Sequence, residues 1–327
     1  MQDDFPSAGA PPLETIGATI FHIIYYNRFV TRRELLVGGA ASASILWARS
    51  RWDRTRISAI TDEIAGNPDD AVAFAHEHGL QFVEIRNQPG TNKEYAAIRE
   101  ADIMADAAHF VNENVKVSCV NTSLLKFNWP ESQPAQTAPP EPGQGEKRLA
   151  SEKTRWDNRM DDLRKALRCA QIMGADKVRI FAGSRAADPS TALQRTADTI
   201  GEMALEAEKQ KISLLLENDA ATNVATCAEL AAVMKLLPSK WVGINWKPAG
   251  GGYALLPKKR ILNVHAQALS LNPGTPESED WKAILLALDH DGYSGRIGLE
   301  MGIFDSTGAA AAQAALDQLV HIVREVS

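Results

Sequence analysis

From Arg56 onward the chain alternates between two patterns of apolar positions. Short runs rich in Val, Ile, Leu and Phe predict strands at Ile57–Asp62, Phe82–Arg86, Lys116–Asn121, Lys177–Phe181, Ile212–Glu217, Val242–Trp246, Ile261–Ala266 and Arg296–Glu300. Between them apolar residues recur at the three-and-four spacing of an amphipathic helix, over Asp69–His78, Trp156–Met173, Ala192–Lys209, Cys227–Leu237, Trp281–His290 and Ala309–Val326. Pro68 after Asn67 and Pro189 after Asp188 are helix-start signals, and Gly79, Gly174 and Gly292 mark helix exits.

Eight strands alternating with helices predict a (β/α)8 TIM barrel. A doubly wound open sheet is the rival. It would want a glycine-rich phosphate turn after its first strand, and "TDEIAGNPDD" is not one. One connection stands out. Residues 128–153 are long and rich in Pro, Gln and Ala, and they follow strand three, on the catalytic face of a barrel; a lid is the expectation.

The first fifty residues break the alternation. Thr31-Arg32-Arg33 precedes the short, weakly apolar run "LLVGGAASASILWA", which resembles a twin-arginine export leader over residues 30–50. The run is too short to span a bilayer comfortably. Its Gly-Gly and Ala/Ser content would make a poor core helix. Val30 directly precedes the arginine pair, and a valine codon can start a bacterial gene, so residues 1–29 read as an extension upstream of the true start. The expected organisation is therefore 1–29 extension, 30–50 leader and 51–327 one barrel domain. The protein is expected to be exported to the periplasm, with membrane contact only through an uncleaved leader.

Composition agrees with a globular chain. The 327 residues carry a net charge of −6 and 45% hydrophobic residues. Nothing is basic enough for a nucleic-acid track, and no nucleic-acid partner is expected. Cys119, Cys169 and Cys227 are far apart and form no C-x-x-C pair, so they read as packed thiols.

The chemistry lies at the strand ends. The period of two selects the inward positions: Asp62 on strand one, Glu84 and Arg86 on strand two, Arg179 on strand four, Glu217 on strand five, and Asn245 with Lys247 on strand six. Strand seven gives Asn263, His265 and Gln267, and strand eight gives Glu300. A barrel gathers such residues into one bowl. Charges forced together there must pair with each other, hold a metal or hold a ligand.

From Arg56 to its end the chain resembles the xylose isomerase-like TIM-barrel family, the sugar phosphate isomerase/epimerase group. The resemblance is carried by "DEIAGNPDDAVAFAHEHGLQFVEIR", "ALRCAQIMGADKVRIFAG", "LLLEN", "INWKP", "NVH" and "IGLEMG". It implies a small-molecule carbohydrate substrate and at most one divalent cation, Mn, Mg or Zn. The implied ligands are Glu217, His265 and Glu300, with an Asp on strand six. Here Lys247 stands in that Asp's place. At about 5 Å and an effective dielectric near 20, each unit of charge against a divalent ion is worth roughly 6–7 kcal/mol. Asp to Lys changes the charge by two units.

Three accounts of Lys247 are open. In one it swings away, and Glu217, His265 and Glu300 still hold an ion. In another its ammonium sits where the ion would be, pairs with Glu217 and Glu300, and polarises a substrate oxygen. In the third a neutral Lys247 amine is a Schiff-base nucleophile.

The neighbours also depart from the family. Gln267 and Ala268 stand where many relatives have Lys-Asp, and Gly302 where a His is common. The His and acidic cluster of the endonuclease branch is missing, which disfavours DNA repair. The leading expectation is an isomerase or epimerase that moves a proton next to the carbonyl of a keto sugar or polyol derivative. Glu217 and Glu300 are its proton carriers, Lys247 a catalytic cation, and Glu84, Arg86, Arg179, Asn245 and Gln267 the substrate-binding candidates. The alternatives are a sugar-binding protein without turnover and a lyase acting on an oxidised sugar or glycoside.

Overall fold

The computed structural model describes residues 52–135, 144–249, 251–302 and 308–327. The expected leader and the extension before it lie outside the described residues. Eight strands run parallel: β1 (Ile57–Ala59), β2 (Phe82–Ile85), β3 (Lys116–Asn121), β4 (Lys177–Ile180), β5 (Ser213–Glu217), β6 (Val242–Trp246), β7 (Ile261–Gln267) and β8 (Arg296–Glu300). Their order is β1-β8-β7-β6-β5-β4-β3-β2. A parallel bridge between Ile60 and Glu84 brings β1 beside β2, so the sheet curls into a nearly closed barrel. The (β/α)8 expectation holds. Strands covered on both faces read as continuous apolar runs, as "SLLLE" and "VGINW" do.

Local chemistry sets the helix ends. Asn67 caps the helix Pro68–Glu77 by accepting from the Asp70 N–H at 2.8 Å, and Pro68 occupies the first turn where its missing N–H costs nothing. Thr226 and Glu229 form a capping box at the head of Cys227–Leu236. Gly174 ends Arg159–Met173 at φ +69°, a left-handed conformation that suits glycine. The core lies between these helices and the sheet. Leu163 with Leu167, Ile200 with Met203, and Leu285 with Leu288 are buried pairs at helical spacing. Truncating one of them, Leu163→Ala, costs about 2–5 kcal/mol.

Three local expectations change. β1 stops at Ala59, and Thr61–Ile64 turns into a short helix, so Asp62 sits on that turn and not in the strand. Part of the expected lid is the helix Gln144–Asp157; residues 136–143 lie outside the described set. That helix carries little apolar face and is supported by i,i+4 pairing such as Lys153–Asp157 at 2.6 Å. A helix at Glu100–Asn112 was not expected, although Ile103, Ala107 and Phe110 bury one face at the right spacing. Among the described residues no helix is long and apolar enough to cross a membrane.

Candidate functional site

Every strand sends a polar side chain into one buried cluster at the barrel's C-terminal end. The floor is built on Glu84, whose carboxylate is fully buried. Its Oε1 accepts from Ser58 Oγ at 2.9 Å and Asn263 Nδ2 at 3.1 Å. Its Oε2 accepts from Asn121 Nδ2 at 2.9 Å and faces His265 Nε2 at 2.9 Å. Space for that carboxylate comes from Gly298 in β8. A Cβ there would lie 2.2 Å from Glu84 Oε1 and 3.0 Å from His265 Cδ2.

His265 links the floor to the tier above, because its Nδ1 lies 3.0 Å from Glu217 Oε2. Asn263 Nδ2 donates to Asn245 Oδ1 at 3.0 Å. That contact turns the Asn245 amide nitrogen toward Glu217 Oε2, to which it donates. Arg179 Nη1 spans the two upper carboxylates, 3.4 Å from Glu217 Oε2 and 3.5 Å from Glu300 Oε1. Lys247 Nζ takes their other oxygens, 2.8 Å from Glu300 Oε2 and 3.3 Å from Glu217 Oε1. Asn218 fixes the lysine's backbone from both sides: its Nδ2 donates to Lys247 O at 2.8 Å, and Lys247 N donates to its Oδ1 at 2.9 Å.

Burial works to raise Glu217, yet Arg179, Lys247 and His265 outweigh it and hold the carboxyl well below the usual range. Glu84 ends near 2 for the same reason: His265 and the amides of Asn121 and Asn263 overcome its burial. Burial opposes the charge on His265, but Glu84 and Glu217 lift it to about 10. Burial likewise opposes the Lys247 ammonium, and Glu217 and Glu300 raise it above its ordinary value. The Schiff-base account needs a neutral amine, and this site holds the amine protonated.

A second ionic group rims the cluster. Arg86 pairs with Asp62 at 2.9 Å and Glu63 at 3.0 Å. Glu63 accepts from the Met301 N–H at 2.7 Å, which ties the short helix after β1 to the residue after Glu300. Burial is the main cause that raises the Glu63 carboxyl. Lys126 pairs with Asp219 at 2.9 Å, and Asp219 lies 3.8 Å from Lys247 Nζ.

The structure therefore brings Glu84, Arg179, Glu217, Asn245, Lys247, His265 and Glu300 together. Glu84 and Asn245 are fully buried and spend their polar atoms on protein groups, so they position the others and do not meet a substrate directly. Arg86 belongs to the neighbouring group. Gln267 pairs with Glu300 in strand register, but among the described contacts no hydrogen bond or ion pair joins its side chain to the cluster. Sequence reasoning missed Glu63, Asn121, Asn218 and Asp219. The doubled acids in "TDEIA" and the polar run "END" after "LLL" were the available signals.

Glu217, His265 and Glu300 each offer one ligand atom within 4.8 Å of the others, the arrangement a metal ion needs. As they stand these residues do not fit one. Lys247 already occupies two of the carboxylates, and both nitrogens of His265 face carboxylate oxygens.

Residues 72–321 match the family described as xylose isomerase-like TIM barrel. The IolI protein with a bound zinc atom superposes with a TM-score of 0.59 at 17% identity, covering 83% of this chain and 99% of that one. The 3-keto-D-glucoside 4-epimerase of E. coli gives 0.58 at 14% identity, covering 82% and 98%. A D-tagatose 3-epimerase-like protein gives 0.56 at 17% identity, covering 83% and 98%. At such identities the likeness is one of fold. No curated protein matches the chain in sequence.

Proposed function

This chain belongs to the xylose isomerase-like TIM barrel family, and on that premise we propose that it moves a proton next to the carbonyl of a keto sugar or related polyol derivative. The observation that carries this reading is the placement of Lys247 Nζ against both Glu300 Oε2 and Glu217 Oε1. An electrophile and a proton carrier share one spot. The substrate carbonyl oxygen points at the ammonium, which stabilises the negative charge that develops as the neighbouring C–H is lost. Glu300 keeps a 6% exposed edge and takes that proton, whereas Glu217 has none. Return of the same proton to the old carbonyl carbon, with the hydroxyl proton passing between the two oxygens of the enediolate, gives isomerisation. Return of a proton from the opposite face gives inversion and needs a second donor there; Glu217, fully buried and held ionised by Arg179, Lys247 and His265, anchors the ammonium instead. Electrons and protons balance within the substrate, so no oxidant or reductant is consumed.

The chemistry of the solved epimerases supports the substrate class. The test is incubation with a panel of ketoses and keto sugars in deuterated water. Exchange of the carbon-bound proton is expected for the native protein and not for Glu300→Gln. Equal, background-level exchange in both would sink the reading.

A second reading, sugar binding without turnover, is favoured by the pairing of every carboxylate in the cluster with a cation. Its signature is thermal stabilisation by a sugar that shows no exchange.

A further inference from the structure

The cluster contains three carboxylates, Glu84, Glu217 and Glu300, and three cationic side chains, Arg179, Lys247 and His265. We propose that Lys247 is a built-in cation: its ammonium takes both the position and the charge of a divalent ion, so the side chains alone balance the centre and it binds no such metal. The inference concerns the charge of the ring and stands whether or not the protein turns a sugar over.

Position is the first argument. The three groups able to ligate an ion have donor atoms within 4.8 Å of one another. Lys247 Nζ touches two of the three groups, at 2.8 and 3.3 Å. Apart from that ammonium, the oxygens it meets, Glu300 Oε2 and Glu217 Oε1, have no hydrogen-bond partner. An ion and the ammonium cannot share those two atoms.

The imidazole is the second. His265 Nε2 lies 2.9 Å from one carboxylate and Nδ1 lies 3.0 Å from another. Nδ1 also lies 3.0 Å from the Asn245 amide nitrogen, so both ring nitrogens are already partnered inside the protein and neither is free for a metal.

Anchoring is the third. A lysine that swung away could vacate the site, but Glu300, Glu217 and Asp219 face its ammonium at 2.8, 3.3 and 3.8 Å, and Asn218 fixes the backbone from which it reaches them. Arg179 also sits on the same pair of glutamates, so a second cation would repel any ion that entered.

Charge arithmetic makes the idea testable. Three negative and three positive groups sum to zero. Lys247→Asp leaves four carboxylates and two cations, a net −2, which matches a divalent ion and adds a third carboxylate ligand beside Glu217 and Glu300. Lys247→Met leaves −1 and adds no ligand.

The experiment compares native protein with these two variants, each produced in medium supplemented with manganese and zinc and purified without chelator. Metal content is measured by mass spectrometry, and melting temperature is measured with and without added Mn²⁺. Native protein and Lys247→Met are expected to hold only trace metal and to show no Mn²⁺ shift. Lys247→Asp is expected to approach one ion per chain and to melt higher when it is loaded. A native protein that carries one ion per chain, or gains stability from Mn²⁺, overturns the proposal. So does a folded Lys247→Asp that takes up none. If Lys247→Asp does not fold, the native measurement decides alone.

Discussion

His265 presents Nε2 to Glu84 Oε2 at 2.9 Å with both side chains fully buried. This pair makes stability depend on pH. The folded histidine is lifted to about 10 from an ordinary value of 6.5. Above 6.5 the unfolded chain sheds a proton that the folded chain keeps. Stability is therefore full below that pH and falls as pH rises through the folded value, by at most about 1.4 kcal/mol per pH unit. Urea midpoints measured from pH 6.5 to 10 should decline steadily. A flat profile would show that the imidazole is neutral in the fold.

Gly298→Ala should destabilise the barrel although it adds one methyl group. Its Cβ would meet Glu84 Oε1 at 2.2 Å, and that carboxylate has four protein partners holding it still. Overpacking of this kind costs about 1–3 kcal/mol. Denaturation curves check it, with Gly292→Ala as a contrast, since that site has open space but a φ of +75°.

Glu300→Gln should lower proton exchange on a true substrate on the order of 10²- to 10⁴-fold, the usual contribution of a positioned acid–base group. Lys126→Ala, at the rim, should change it far less, because Lys126 reaches Lys247 only through Asp219. Equal losses in the two variants would move the chemistry away from Glu300.

Thiol reagents should find none of the three cysteines in the native protein and all of them after unfolding. Cys119, Cys169 and Cys227 are buried, and burial pushes each thiol up, away from the reactive thiolate. Rapid native labelling would show that a wall of the barrel opens.

The strands and the polar groups at their ends were legible in the sequence because a fully buried strand leaves an unbroken apolar run that stops at a charge, as at Glu217 and Glu300. The start of the bowl was not. "ISAITDEIA" continues β1's apolar character past Ala59, while the chain itself turns into a helix at Thr61, and Glu63 was lost with that turn. Gln144–Asp157 was hidden for the opposite reason: a helix held by charge pairs on an exposed face shows no apolar period. The pairing of Lys247 with Glu217 and Glu300 was one of the readings the sequence offered, but the partners of Arg179 and His265 were invisible. Arg179 lies 121 positions from Glu300 and His265 lies 181 from Glu84, and only closure of the barrel makes them neighbours. Gln267 has the right strand phase, yet among the described contacts its side chain makes no hydrogen bond or ion pair to the cluster.

Glu84 does two jobs at one place on the wall. Its backbone forms the bridge to Ile60 that joins β1 to β2, while its carboxylate anchors the imidazole beneath the mouth. Elsewhere adjacent strands share a run of paired positions; at this seam the run is short. Thermal breathing concentrates where such a ladder is thinnest. Parting of this seam would admit water to the Ser58 contact and take from the imidazole one of its two counter-charges, so the backbone zipper and the ionic lattice share one hinge.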